Sequence, residues 1–157
     1  MGYFIRITYS NVVIPAENLD ASYAALVALN SRDDLKSGGS LPGRDDPKPE
    51  GADHHPHRWF SWMPADLKTL PTTAAILENL GFEIWQGKDG CIEINGYDSK
   101  AGDEEIFLLT LAPYVKPDTE IEWMGEENEQ WKFVFKNGRM YRYEAETLWN
   151  ELGEVTL

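Results

Sequence analysis

The sequence predicts one α+β domain, an antiparallel sheet of about six strands with two or three helices packed on one face. Three observations predict it. The last third of the chain alternates apolar and polar residues in three runs, recognisable strand connections after residue 80 are short or hairpin-like, and helical periodicity appears in the first half. At 157 residues, with 42% apolar content, six Trp, seven Tyr and six Phe, the chain can fill one core of ordinary size. No internal repeat or heptad run divides it, so residues 1–157 read as a single domain.

The opening segment 3–10 places Tyr3, Ile5, Ile7 and Tyr9 on one face and Phe4, Arg6, Thr8 and Ser10 on the other, the period-two pattern of a half-buried strand. After Pro15, residues Leu19, Tyr23, Leu26, Val27 and Asn30 recur at helical spacing, with Glu17 and Asp20 near the positive end of the helix dipole. That predicts a helix over 17–30. From Ser31 to His57 the composition turns to Gly, Pro, Asp and Lys without either periodicity, which predicts one long irregular loop. Loops of more than about 15 residues are uncommon in compact domains and are usually functional or disordered.

A strand is expected over Arg58 to Met63, and a helix over Thr72 to Leu80 with Gly81 as its left-handed C-cap. Phe82 to Trp85 and Cys91 to Asn95 read as paired strands, joined through Gly87-Lys88-Asp89-Gly90, where Asp-Gly favours a tight turn. Glu104 to Ala112 reads as a short apolar helix closed by Pro113. Residues 120–124, 130–136 and 139–146 form the predicted meander, the last two runs joined by Asn137-Gly138. Asn-Gly is the strongest short hairpin signal because both central residues of the turn accept positive φ.

Fourteen basic against twenty-seven acidic residues leave a net charge of −13. Such a chain is repelled by nucleic acid and by anionic membrane surfaces, so neither is an expected partner. No apolar run approaches the roughly 20 residues that span a bilayer, and the start of the chain lacks the pattern of a signal peptide. The expected location is the cytoplasm. The lone Cys91 forms no internal disulfide framework, in keeping with a reducing compartment.

Four groups of residues can carry chemistry. His54, His55 and His57 lie in Asp53-His54-His55-Pro56-His57, and imidazoles beside carboxylates are competent ligands for a divalent metal. Their spacing fixes no coordination geometry, and a solvated loop is the plainer reading. Arg58, Trp59 and Trp62, with Phe60, set a guanidinium among aromatic faces on which a nucleotide can stack, or else they are core. Cys91 needs a base such as His57 to act as a nucleophile and otherwise is a small buried apolar residue. The glycines 38, 39 and 43 lack the Lys-Ser or Lys-Thr of a phosphate loop.

The most distinctive charge pattern is Asp118, Glu120, Glu122, Glu126, Glu127 and Glu129, with no base between Lys116 and Lys132. Strand alternation sets Glu120 and Glu122 opposite Ile121 and Trp123, and the remaining glutamates crown the next turn, which predicts one acidic surface. Such a surface either docks on a basic protein or is merely solvated. Its spacing matches no calcium loop.

Met1-Gly2-Tyr3, then Ile121 and Trp123, Gly125-Glu126-Glu127, Trp131 and Asn137-Gly138, resemble a family of small proteins with a domain of unknown function found in actinobacteria and their phages. The resemblance covers about a third of the chain and implies no activity. It does imply a setting, since small acidic phage proteins interfere with host nucleases or defence complexes, sometimes by imitating the charge of DNA. The leading expectation is therefore a non-enzymatic acidic binding protein, of the type of a phage inhibitor of a host nucleic-acid-binding or defence protein. The alternative is a nucleotide-sequestering protein or a metal-dependent enzyme using residues 54–62, and a structural component of a particle is a third reading.

Overall fold

The computed structural model describes residues 2–157. Seven strands form one antiparallel sheet: β1 (Phe4–Ser10), β2 (Val12–Ile14), β5 (Phe82–Gln86), β6 (Ile92–Lys100), β7 (Thr119–Gly125), β8 (Gln130–Lys136) and β9 (Arg139–Glu144). Strands β1 and β2 are two halves of one bent course along β6, with Arg6 opposite Asp98 and Val12 opposite Ile94. Spatially the order is β5, β6, the β1/β2 course, β7, β8 and β9. The break falls at Asn11, whose side-chain oxygen accepts from the Glu120 N–H at 2.7 Å where the ladder is interrupted.

Three helices cover one face: α1 (Leu19–Leu29), α2 (Thr73–Leu80) and α3 (Glu104–Leu111). Leu26, Leu77, Phe107 and Leu108 from the helices meet Ile5, Trp123, Phe133 and Phe135 from the sheet in the core. Helix α2 begins at Thr72, whose hydroxyl accepts from the Ala75 N–H at 3.0 Å, and ends at Gly81 with φ of 118°. Asn137 and Gly138 both adopt positive φ, 54° and 70°, which closes the β8–β9 hairpin as its sequence requires.

Three local expectations need correction. The pairing between β1 and β7 shifts between Ile7 and Tyr9, so a bulge at Thr8 turns Tyr9 to the uncovered face, where it is 47% exposed. The strand expected over 58–63 is only β4 (Arg58–Trp59), because Trp62 takes φ of 68° and turns the chain. Its partner is β3 (Gly38–Gly39), inside the segment expected to be a structureless loop. Glycine is needed at 38 because a Cβ there would collide with the Trp59 side chain and carbonyl.

The chain beyond β9, residues 145–157, has no secondary structure and leaves Leu148, Trp149, Leu152 and Val155 exposed. Among the described residues, no helix is long and apolar enough to cross a membrane.

Candidate functional site

At one end of the sheet β7 turns into β8. Glu126, Glu127, Asn128 and Glu129 make this turn, with the Gly125 N–H donating to the Glu129 carbonyl at 2.9 Å and Asn128 in the left-handed region at φ of 67°. Gly125 lies under Tyr3 and Glu129, and a Cβ at this position would collide with both the Tyr3 hydroxyl and the Glu129 carboxylate.

Between this end of the sheet and the first turn of α3 lies a cavity of about 290 Å³. Its walls include Tyr3, Trp123, Trp131, Glu104, Glu129 and Arg142. Alternation along β8 sends Trp131 to the helical side with Phe133 and Phe135, and the Trp131 indole stacks on that of Trp123 with centroids 6.2 Å apart and planes 6° from parallel. The Arg142 guanidinium, from the neighbouring strand, lies 5.4 Å from the Trp131 ring centroid and 5.9 Å from that of Phe133. Its ion pairs are long, 3.9 Å to Glu105 and 3.5 Å to Glu144.

Glu104 is the unusual member. It is 8% exposed, and its Oε2 accepts from the Gly102 N–H at 2.6 Å, yet among the described residues no cation pairs with it. Burial pushes its carboxyl above the usual range, with Asp103 and Glu105 adding to the effect. Nearby, burial pushes the Tyr97 hydroxyl up to about 12, and the Glu104 charge adds to that shift. Two further polar atoms of cavity-lining residues, Tyr3 Oη and Trp123 Nε1, are buried with no hydrogen-bond partner. A second hollow adjoins across Trp131 and Arg142 and adds Glu144 and Glu146 to the acidic rim.

The acidic series is thus divided by the fold. Glu126, Glu127 and Glu129 join Glu104, Glu105, Glu144 and Glu146 at this end, whereas Asp118 stands at the opposite end of β7, about 20 Å away along the strand. Glu120 and Glu122 face the uncovered side, where Glu120 pairs with Lys132 at 2.8 Å and Glu122 lies across the ladder from the same lysine.

The histidine segment is folded down and internally bonded. His55 is buried, with Nε2 hydrogen-bonded to the Asp46 carbonyl at 2.7 Å and Nδ1 accepting from the His57 N–H at 3.0 Å. Its two ring nitrogens therefore require the Nε2–H tautomer and have no free lone pair for a metal. His57 faces Ser40 and His54 faces Asp53, so the three imidazoles point to three different partners. The Lys68 hydrogen bond at 2.6 Å, followed by that of His54, pulls the Asp53 carboxyl down to about 2. Among the described residues, no group of three His, Cys, Asp or Glu is placed to hold a metal ion.

Arg58, Trp59 and Trp62 do not form a common pocket either. The Arg58 Nε donates to the Arg44 carbonyl at 2.6 Å, Trp59 lies against Gly38, and Trp62 is turned outward. Phe60 is core, edge-on to Phe107. Cys91 sits in the β5–β6 hairpin beside Gly87, and the His57 ring is hydrogen-bonded to Ser40.

Tyr3, Glu104, Glu105 and Arg142 were not legible as site residues. Glu104-Glu105 is an ordinary acidic start to a helix, and only the tertiary approach of α3 to the sheet end gives the pair another role. Comparison of the chain with protein-family models, with curated proteins and with solved structures finds no match.

Proposed function

We propose that the protein is a non-enzymatic binding protein whose acidic sheet end, centred on Trp131, docks on a basic surface of another protein. The observation that supports this reading is the convergence of carboxylates from three separate chain segments, α3, the β7–β8 turn and β9 with its continuation, around an aromatic floor. Their negative potentials add and attract a basic partner over the screening length. A half-buried Trp131 inside the charged rim matches the arrangement of an interface with a central anchor. In the setting implied by the resemblance to actinobacterial and phage proteins, the partner is a host nucleic-acid-binding or defence protein.

The test reverses charge at two places. Basic proteins captured from nuclease-treated lysate, and a synthetic arginine-rich peptide, are titrated against the wild type, against Glu126→Lys/Glu127→Lys and against Asp45→Lys/Asp46→Lys. The turn variant is expected to bind at least about tenfold more weakly at low salt, and the loop variant to retain most of the affinity. Equal loss in both variants means attraction to net charge alone and overturns the reading, as does no loss in the turn variant.

A further inference from the structure

We propose that the cavity between Tyr3, Trp123, Trp131 and Glu104 receives a single arginine side chain presented by the basic partner. The assignment rests on the docking reading above and names the contact at its centre. At about 290 Å³ the cavity lies at the lower limit of small-molecule sites and has the scale of one long side chain.

Its chemistry selects a guanidinium. The walls supply stacked indoles and three carboxylates, Glu104, Glu105 and Glu129. A planar cation that stacks on an aromatic face and donates hydrogen bonds in its own plane satisfies both kinds of wall, which an ammonium does less well. Arg142 already illustrates this preference at the rim, with its guanidinium over Trp131 and Phe133. The lysines near exposed aromatics belong to the uncovered face, as with Lys136 over Tyr141 at 4.7 Å.

Inside the rim, Glu104 and Glu129 form no ion pair among the described residues. Glu104 is more than nine-tenths buried, lines the cavity and forms no salt bridge with a described residue. The Tyr3 hydroxyl is buried against Gly125 without a hydrogen-bond partner. A largely buried carboxylate without a countercharge is a costly arrangement, and an incoming guanidinium provides hydrogen-bond donors and the opposite charge together. The Trp123 N–H is a donor and takes no part in this contact. Arg142, held by long ion pairs and half-exposed, is the neighbour that an entering cation must approach.

The measurement is calorimetric titration of the full chain with acetyl-Gly-Arg-Gly-amide, and with the same peptide carrying lysine or the neutral isostere citrulline. Arginine is expected to bind at least about tenfold more tightly than citrulline and more tightly than lysine. Glu104→Gln lowers arginine affinity at least about tenfold while the melting temperature does not fall. Arg142→Gln raises it several-fold, and Arg139→Gln, which removes the same charge elsewhere on β9, changes it by less than about twofold. Citrulline binding as well as arginine, indifference to Glu104→Gln, or weaker binding by Arg142→Gln overturns the assignment. The tripeptide is too short to reach the rest of the acidic rim, so the two readings fail separately. If it does not bind while docking still depends on Glu126 and Glu127, the arginine cavity is wrong and the docking surface stands. If it binds and docking is insensitive to Glu126 and Glu127, the reverse holds.

Discussion

The segment from Ser31 to Trp62 and the end of the sheet around Trp131 are both rich in charged and aromatic side chains, but they use them in opposite ways. In the first, hydrogen-bonding groups are engaged within the molecule. His55 bridges Asp46 and His57, Arg58 holds the Arg44 carbonyl, and Asp103 accepts from the Ser37 hydroxyl at 2.8 Å and the Ser61 N–H at 2.7 Å. In the second, among the described residues, Glu104 lacks a cation, the Tyr3 hydroxyl and Trp123 N–H lack partners, and the ion pairs of Arg142 are long. Satisfied polar groups fix an irregular segment in one conformation, whereas a carboxylate without a countercharge that lines a cavity is available to a ligand.

The comparison breaks first if His55 is dispensable. His55→Ala leaves the Asp46 carbonyl and the His57 N–H unpaired and opens a void, so urea denaturation should show a loss of about 3 kcal/mol. Arginine-peptide affinity should stay within about twofold of wild type. A loss below about 0.5 kcal/mol would show that the segment is a solvated loop after all.

Glu104→Gln sharpens the opposite pole. A carboxyl raised by burial destabilises the fold only when charged, so its cost is absent below the ordinary value of 4.5 and complete above the raised one. The glutamine variant should therefore melt at or above the wild-type temperature at pH 8, and this advantage should shrink as pH falls towards 4. The neighbouring Asp103 and Glu105 add to the cost of the Glu104 charge. A variant that melts lower at pH 8 would mean that the charge is needed by the fold.

The smallest effect is expected at Asp53. Its depressed carboxyl contributes stability that is present above about pH 4 and is lost as pH falls towards 2, but the ion pair with Lys68 is open to water and screened by salt. Asp53→Asn should leave the melting temperature at pH 7 and 0.15 M salt within about 1 °C of wild type. A larger drop would show that the histidine segment is held by its surface charges.

What could be read in the sequence followed the range of the interaction responsible. Asn137-Gly138, Thr72 and Gly81 fix backbone conformation within a few residues, and the hairpin, helix start and helix stop fall where their chemistry requires. The bulge at Thr8 depends on how β1 registers with β7, more than a hundred residues later, so alternation misplaced Tyr9. Arg58 to Met63 has strand composition throughout, but its only partner is the Gly38-Gly39 pair, and two residues were enough to satisfy it. The acidic series was visible as charge. Its division between two faces and two ends follows the alternation and length of β7, whereas the placing of Glu129 and Glu104 around one cavity depends on where α3 settles.

The exposed segment 145–157 gives the net charge a second consequence. Leu148, Trp149, Leu152 and Val155 form an apolar series without a place in the core, and copies of a chain carrying −13 are kept apart by mutual repulsion over about 8 Å at physiological ionic strength. Added salt shortens that reach to about 3 Å at 1 M while leaving hydrophobic attraction intact or stronger. The colloidal behaviour of the protein therefore runs against its docking. Conditions that weaken attraction to a basic partner are those in which the apolar segments of neighbouring molecules can meet.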